Sequence, residues 1–156
     1  MAEVAPFDAD ETRCLERLPF HVFFLVAGAD GVVDEKEFER FVHGLIDLAS
    51  SLAEDDAGPD SELLANSGRY FDSLHPEVKR QVVQGGAAGS LSQISAGVAL
   101  IDAKLDASQA IRFKRVISEL GVGIAEASGG LLGIGSISKV EREALDRLAT
   151  VLGPPG

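Results

Sequence analysis

The amino-acid sequence predicts an all-α protein, a single domain over residues 1–156 with about seven helices in one compact bundle. Apolar residues recur every three to four positions in several segments, which is the period of an amphipathic helix. No segment shows sustained alternation of apolar and polar residues, so a lone strand would have no partner for its backbone groups. The 156 residues, 46% of them hydrophobic, are enough for one core.

The first three helices are predicted from apolar patterning. A short helix over about 10–17 precedes segment 20–27, which is apolar on every side and which we interpret as a central buried helix. A long amphipathic helix then begins near Asp34. Its apolar stripe, at spacings of three and four residues, consists of Phe38, Phe41, Val42, Leu45, Ile46, Ala49 and Leu52.

Two shorter helices are expected next, over about 62–74 and 76–84. Ser61 is the expected N-cap of the first, because a serine oxygen can accept a hydrogen bond from the first turn. Pro76 suits the first position of the second helix, where no amide hydrogen is needed. The acidic segment 54–60 is expected to be the loop that precedes them.

The C-terminal half predicts three more helices. Two apolar stripes, which are expected to pack against each other, consist of Leu91, Ile94, Val98, Ile101 and Leu105, and of Ala110, Phe113, Ile117, Leu120 and Ile124. The last helix covers about 139–152, because Gly153 and the two prolines after it end it. The glycine-rich segments 84–89 and 128–135 are expected to be surface loops.

The charge of the chain narrows its partners. Fourteen basic and 25 acidic residues give a net charge of −11, which disfavours nucleic acid and anionic lipid and favours cations or basic protein surfaces. No apolar run reaches the roughly 20 residues of a membrane span, and the acidic N-terminus does not fit a signal peptide. With Cys14 as the only cysteine, a cytoplasmic location is expected.

The most distinctive segment is the acidic loop, residues 29–37. It fits the second half of a calcium-binding EF-hand loop, with Asp30 at position 5, Gly31 at the tight turn, Asp34 at position 9 and Glu37 at the bidentate position 12. The first half does not fit, because positions 1 and 3 are Val26 and Gly28, which carry no carboxylate.

Two interpretations of this loop remain open. Asp34 and Glu37 can form a capping box at the start of the long helix, which is a structural role. Alternatively, Asp30, Asp34 and Glu37 bind a divalent cation, Ca²⁺ or Mg²⁺, or dock a partner. Further ligands would then come from the remaining acidic candidates, which are Glu35, Asp106, Glu126 and Glu141.

The loop also belongs to a weak internal repeat. The pattern Gly-x-[Val/Ile]-[Asp/Ser]-x-x-Glu begins at Gly31 and again at Gly135, with Ile134 in the second copy where the first has Asp30. Segment 26–38 resembles the acidic signature of TerB-like domains, and segment 124–141, which includes the second copy, resembles their second half, so the resemblance covers most of 20–152. This resemblance implies an all-α fold and a role in tellurite or other stress resistance, exerted through partner proteins and with metal binding suspected.

Three classes of function follow from these observations. The first is a non-enzymatic interaction module whose acidic helical surface docks a basic or membrane-anchored protein partner. The second is a divalent-cation-binding protein that uses the acidic loop. The third is a hydrolase or lyase that uses two carboxylates as acid and base. No nucleophile elbow, metal-ligand spacing among His21, His43 and His75, or phosphate-binding loop is present, so no cofactor or catalytic residue is assigned.

Overall fold

A computed structural model describes residues 6–28, 35–78, 80, 89–129 and 139–153. Every regular element among them is a helix, so the predicted all-α class is confirmed. The seven helices are α1 (Ala9–Glu16), α2 (Leu18–Ala27), α3 (Glu35–Asp56), α4 (Pro59–Asp72), α5 (Ser90–Lys104), α6 (Ala107–Gly129) and α7 (Lys139–Leu152).

The apolar helix α2 lies at the centre of the bundle, as the sequence predicted. It packs against α1, α5, α6 and α7, and eight of its ten residues are buried. An apolar helix with no polar face gains most from being covered on all sides, since each buried leucine- or phenylalanine-sized side chain contributes about 1.5–3 kcal/mol. The core is therefore built around α2.

Aromatic side chains join α2 to the helical hairpin formed by α3 and α4. Phe23 of α2 stacks on Phe41 of α3 with ring centroids 4.8 Å apart, and Phe20 stacks on Phe38 at 5.2 Å. Phe71 of α4 contacts the edges of Phe20 and Phe38. The stripe predicted on α3 faces this cluster, since Phe38, Phe41, Val42, Leu45 and Ala49 are all buried.

The turn between α3 and α4 differs from its prediction. Helix α3 continues to Asp56 and α4 begins at Pro59, so the expected loop 54–60 shrinks to two residues. The prediction that Ser61 is the N-cap of this helix is wrong, because Gly58 occupies the N-cap position. Ser61 is instead the third residue of α4, and its Oγ accepts a hydrogen bond from the Gly58 amide at 3.0 Å. Proline at the first helical position explains the earlier start.

The C-terminal helices follow the predicted stripes. Helices α5 and α6 pack against each other and against α2, and α7 covers exactly the predicted residues 139–152. Helix α6 continues five residues beyond its predicted apolar stripe, to Gly129, into what was expected to be a loop. The approach of α5 to α2 is so close that a Cβ on Gly97 would lie 2.5 Å from Leu18 Cδ2.

Residues 76–78 are also helical, with Pro76 at the predicted position and the Glu77 amide donating to His75 Nδ1 at 3.2 Å. The rest of the predicted helix 76–84, apart from residue 80, lies outside the described residues. Across the described ranges, no helix combines the length and the hydrophobicity that crossing a bilayer requires.

Candidate functional site

The predicted cation-binding residues are only partly described. Asp30 and Asp34 lie outside the described residues, so the capping box proposed for Asp34 and Glu37 is not tested. Glu37 lies half-buried in the first turn of α3. Glu35, named as a supporting ligand, instead forms an exposed ion pair with Arg80 at 3.2 Å.

The other supporting candidates lie on different elements. Asp106 caps α6, because its Oδ1 accepts a hydrogen bond from the Gln109 amide at 2.8 Å. Glu126 is exposed near the end of α6, whereas Glu141 is buried on α7. Within the described ranges, no three acidic, histidine or cysteine side chains come together as a metal site would require. The cation-binding hypothesis stays a prediction.

An apolar groove lies between α3 and α6, with a volume of about 320 Å³. Its floor and walls carry Phe23, Phe41, Leu45, Leu48, Leu120 and Ile124. The α3 residues that line it recur at i, i+3, i+4, i+7, i+8 and i+11, from Glu37 to Leu48, and so form one face of that helix. The groove volume is within the range of about 300–1,000 Å³ that is typical of small-molecule binding sites.

Two glycines open the groove at the helix backbones. A Cβ built on Gly44 of α3 or on Gly123 of α6 would meet nothing within 4 Å. A helix-interior glycine costs roughly 0.5–1 kcal/mol relative to alanine, and here no neighbouring atom requires the missing side chain. These glycines therefore expose backbone to an approaching molecule.

The rim of the groove is charged. Glu37 and Arg40 lie on the α3 side, and Glu119 lies on the α6 side. Helix α3 as a whole is strongly acidic, with seven carboxylates against two cationic side chains, a net of −5. Because clustered carboxylates attract cations at long range, this wall favours a basic molecule.

Beyond the groove, Arg112 near the start of α6 joins α6 to the end of α3 and the start of α4. Its guanidinium bridges Asp60 at 2.8 Å and Asp56 at 3.0 Å, and also donates to the Asp56 carbonyl. Asp60 is only 4% exposed, whereas Asp56 is 84% exposed. Since Asp56 ends α3 while Arg112 is near the start of α6, the two helices run in opposite directions along the groove.

The histidines lie away from the groove. His43 Nε2 lies 3.6 Å from Asp72 of α4, and both side chains are exposed. His21 lies half-buried on α2, where burial lowers the pKa of its imidazole and Arg17 lowers it further. Neither histidine lines the groove.

Sequence reasoning did not identify the groove. The signal was present, because Gly44 and Gly123 interrupt strong helical stripes without marking a helix end. Leu120 belongs to an apolar stripe that was expected to pack against another helix, yet it remains partly exposed along the groove. Glu37 and Glu119 both line the groove, and the carboxylate-based enzyme hypothesis stays a prediction.

Comparisons with protein-family models, with curated proteins and with solved structures find no match to this chain. The resemblance to TerB-like domains therefore depends on the sequence motifs alone.

Proposed function

We propose that the protein is a non-enzymatic interaction module whose α3–α6 groove binds an amphipathic helix from a basic protein partner. The observation that carries the proposal is an open apolar groove of about 320 Å³ beside the most acidic helix of a chain with net charge −11. The partner's apolar face would contact Phe41, Leu45 and Leu48. Helix-in-groove docking of this kind uses apolar anchors at i, i+3, i+4 and i+7.

The groove glycines support a helical partner. A helix is about 10–12 Å wide, and its close approach to α3 and α6 is easiest where those helices carry no side chain. Gly44 and Gly123 provide such positions on opposite walls. The partner would lie between them, with its lysines or arginines near Glu37 and Glu119.

The expected affinity is moderate and sensitive to salt. Burial of two leucine-sized partner side chains contributes about 3–6 kcal/mol before the cost of association is deducted. Ion pairs at an exposed rim add no more than about 1 kcal/mol each, and salt screens them. Binding of this kind suits a reversible contact.

The sequence resemblance agrees with this class of function. TerB-like domains act through partner proteins, and the proposal includes a stress-related role, a cytoplasmic location and a partner that is basic or membrane-anchored. The groove includes Glu37, which is the one member of the set Asp30, Asp34 and Glu37 that the structure describes.

A fluorescence-anisotropy titration tests the proposal with an 18-residue leucine–lysine peptide whose leucines form one helical face. The matched control is a peptide of identical composition with its leucines scattered around the helix. The protein variant is Gly44→Leu, which adds a side chain to the groove at a position where a Cβ would meet nothing within 4 Å. Far-ultraviolet circular dichroism checks that the variant keeps its fold.

The amphipathic peptide should bind wild-type protein saturably, and Gly44→Leu should weaken that binding at least about tenfold, or about 1.4 kcal/mol. The scattered peptide should bind weakly and be indifferent to the substitution. Equal binding of both peptides, or of both proteins, would mean that the acidic surface attracts the peptide without any part played by the groove.

A further inference from the structure

A second pocket, which shares none of its described lining residues with the groove, lies where the beginning of α5 meets α2 and α7. Its volume is about 800 Å³. One part of it is apolar, lined by Phe24, Leu25, Leu91, Val140, Ala144 and Val151. The other part is polar and is formed by the first turn of α5 together with Arg147 of α7.

The first turn of α5 presents to this pocket backbone amides that have no acceptor within the helix. The first helical hydrogen bond is donated by the Gln93 amide to the Gly89 carbonyl, so the amides of Ser90, Leu91 and Ser92 have no helical acceptor. Gly89 occupies the N-cap position with φ +77° and has no side chain to cap them. The helix dipole adds a positive partial charge at this end.

The buried hydroxyl of Ser90 is a second observation, separate from the helix terminus, that points to a ligand in this pocket. Its side chain is 1% exposed and lines the pocket, yet among the described residues its Oγ has no hydrogen-bond partner. Buried hydroxyls nearly always have such a partner, because an unsatisfied one costs free energy. A ligand oxygen in the pocket would satisfy both this hydroxyl and the neighbouring amides.

Arg147 supplies the charge that an anion needs. It lines the same pocket, and within the part of the chain that the structure describes it forms no ion pair. Glu143, one turn earlier on α7, is the single carboxylate among the described residues that line this pocket. The helix terminus and the guanidinium together oppose its charge.

We infer that this pocket binds an amphiphilic oxyanion, with a phosphate or carboxylate head at the start of α5 and a short apolar body against α2 and α7. The amides of residues 90–92, Ser90 Oγ and Arg147 would hold the head. Phe24, Leu91 and Val151 would contact the apolar body. This site is independent of the proposed helix-binding groove, so either can be wrong without the other.

Octyl phosphate, inorganic phosphate and octanol are the probes, titrated into uniformly ¹⁵N-labelled protein and followed by backbone amide chemical shifts. Octyl phosphate should cause saturable shifts at Ser90, Leu91 and Ser92, with an affinity at least about tenfold above that of inorganic phosphate. Inorganic phosphate should shift the same amides more weakly. Octanol alone should leave them nearly unchanged.

Charge and hydroxyl variants complete the test. Arg147→Gln should weaken octyl phosphate at least about tenfold, whereas Arg142→Gln, the same change elsewhere on α7, should not. Ser90→Ala should weaken binding without lowering the thermal midpoint, because its hydroxyl has no partner to lose. The inference is overturned if the amides of residues 90–92 do not shift, if octanol or inorganic phosphate binds as tightly as octyl phosphate, or if the two arginine variants behave alike.

Discussion

Substitution of two glycines on α6 by alanine compares the stability effect of an added methyl group on a packed helix face with its effect on an open one. A Cβ on Gly121 would lie 2.6 Å from Leu148 Cδ2 and 3.3 Å from Leu145 Cδ2, whereas a Cβ on Gly123 would meet nothing within 4 Å. Leu148 is 1% exposed, so it has no solvent space to move into. The same substitution two residues apart therefore meets opposite surroundings.

The expected effects follow from two free-energy terms. Replacement of a helix-interior glycine by alanine gains about 1 kcal/mol at either position. At Gly121 the added methyl also overpacks the core, at a typical cost of about 1–3 kcal/mol. Gly123→Ala should therefore stabilise the protein by about 1 kcal/mol, while Gly121→Ala should be neutral or destabilise it by up to about 2 kcal/mol.

Urea unfolding followed by circular dichroism at 222 nm measures both variants against wild type. Thermal midpoints offer a second readout, since about 1 kcal/mol corresponds to roughly 2–4 °C in a domain of this size. Gly44→Ala should match Gly123→Ala, because its Cβ also meets open space. If Gly121→Ala and Gly123→Ala change the unfolding free energy equally, the described packing of α6 on α7 is wrong.

Two further predictions concern buried carboxylates. Arg112→Met should destabilise the protein by about 3 kcal/mol in urea unfolding, because it leaves the buried Asp60 without its cation. Asp56→Asn changes the exposed partner and should cost less than about 1 kcal/mol. Similar losses of stability in both variants would refute a buried ion pair between Arg112 and Asp60. Burial raises the pKa of Glu16 above 4.5, so ionisation destabilises the folded state as pH rises through the folded pKa. Glu16→Gln should therefore be more stable than wild type at pH 7 and lose that advantage below pH 4.5; a pH-independent difference would contradict this account.

Much of the fold could be predicted because the spacing of apolar residues and the residues that end a helix are read from neighbouring positions in the sequence. The stripe on α3 and the end of α7 before Gly153 needed only neighbouring residues. The start of α4 was misplaced because Ser61 was treated as a cap, although glycine followed by proline at residues 58 and 59 also fits a helix start. Competing local signals of this kind are resolved only by the surrounding packing.

The candidate sites depend on how helices that are far apart in the sequence are arranged in space. The spacing of apolar residues along one helix does not determine that arrangement. The predicted stripe on α3, which contains Phe41 and Leu45, indicates that this face turns inward, but not that α3 and α6 leave a groove beside it. Likewise, the pairing of His43 with Asp72 follows from the α3–α4 hairpin and not from spacing along one helix. The distribution of charge was more informative about the groove than the apolar spacing, because the excess of acidic residues in α3 can be counted from the sequence and α3 forms one wall of the groove.

The most direct test of the central claim is to map where the amphipathic leucine–lysine peptide binds, by backbone amide chemical shifts of ¹⁵N-labelled protein. The account predicts saturable shifts concentrated at residues 40–48 of α3 and 119–124 of α6, the two walls of the groove. These shifts should disappear in Gly44→Leu. Shifts confined to the exposed acidic end of α3, at residues 54–56, and unchanged by that substitution would contradict the claim.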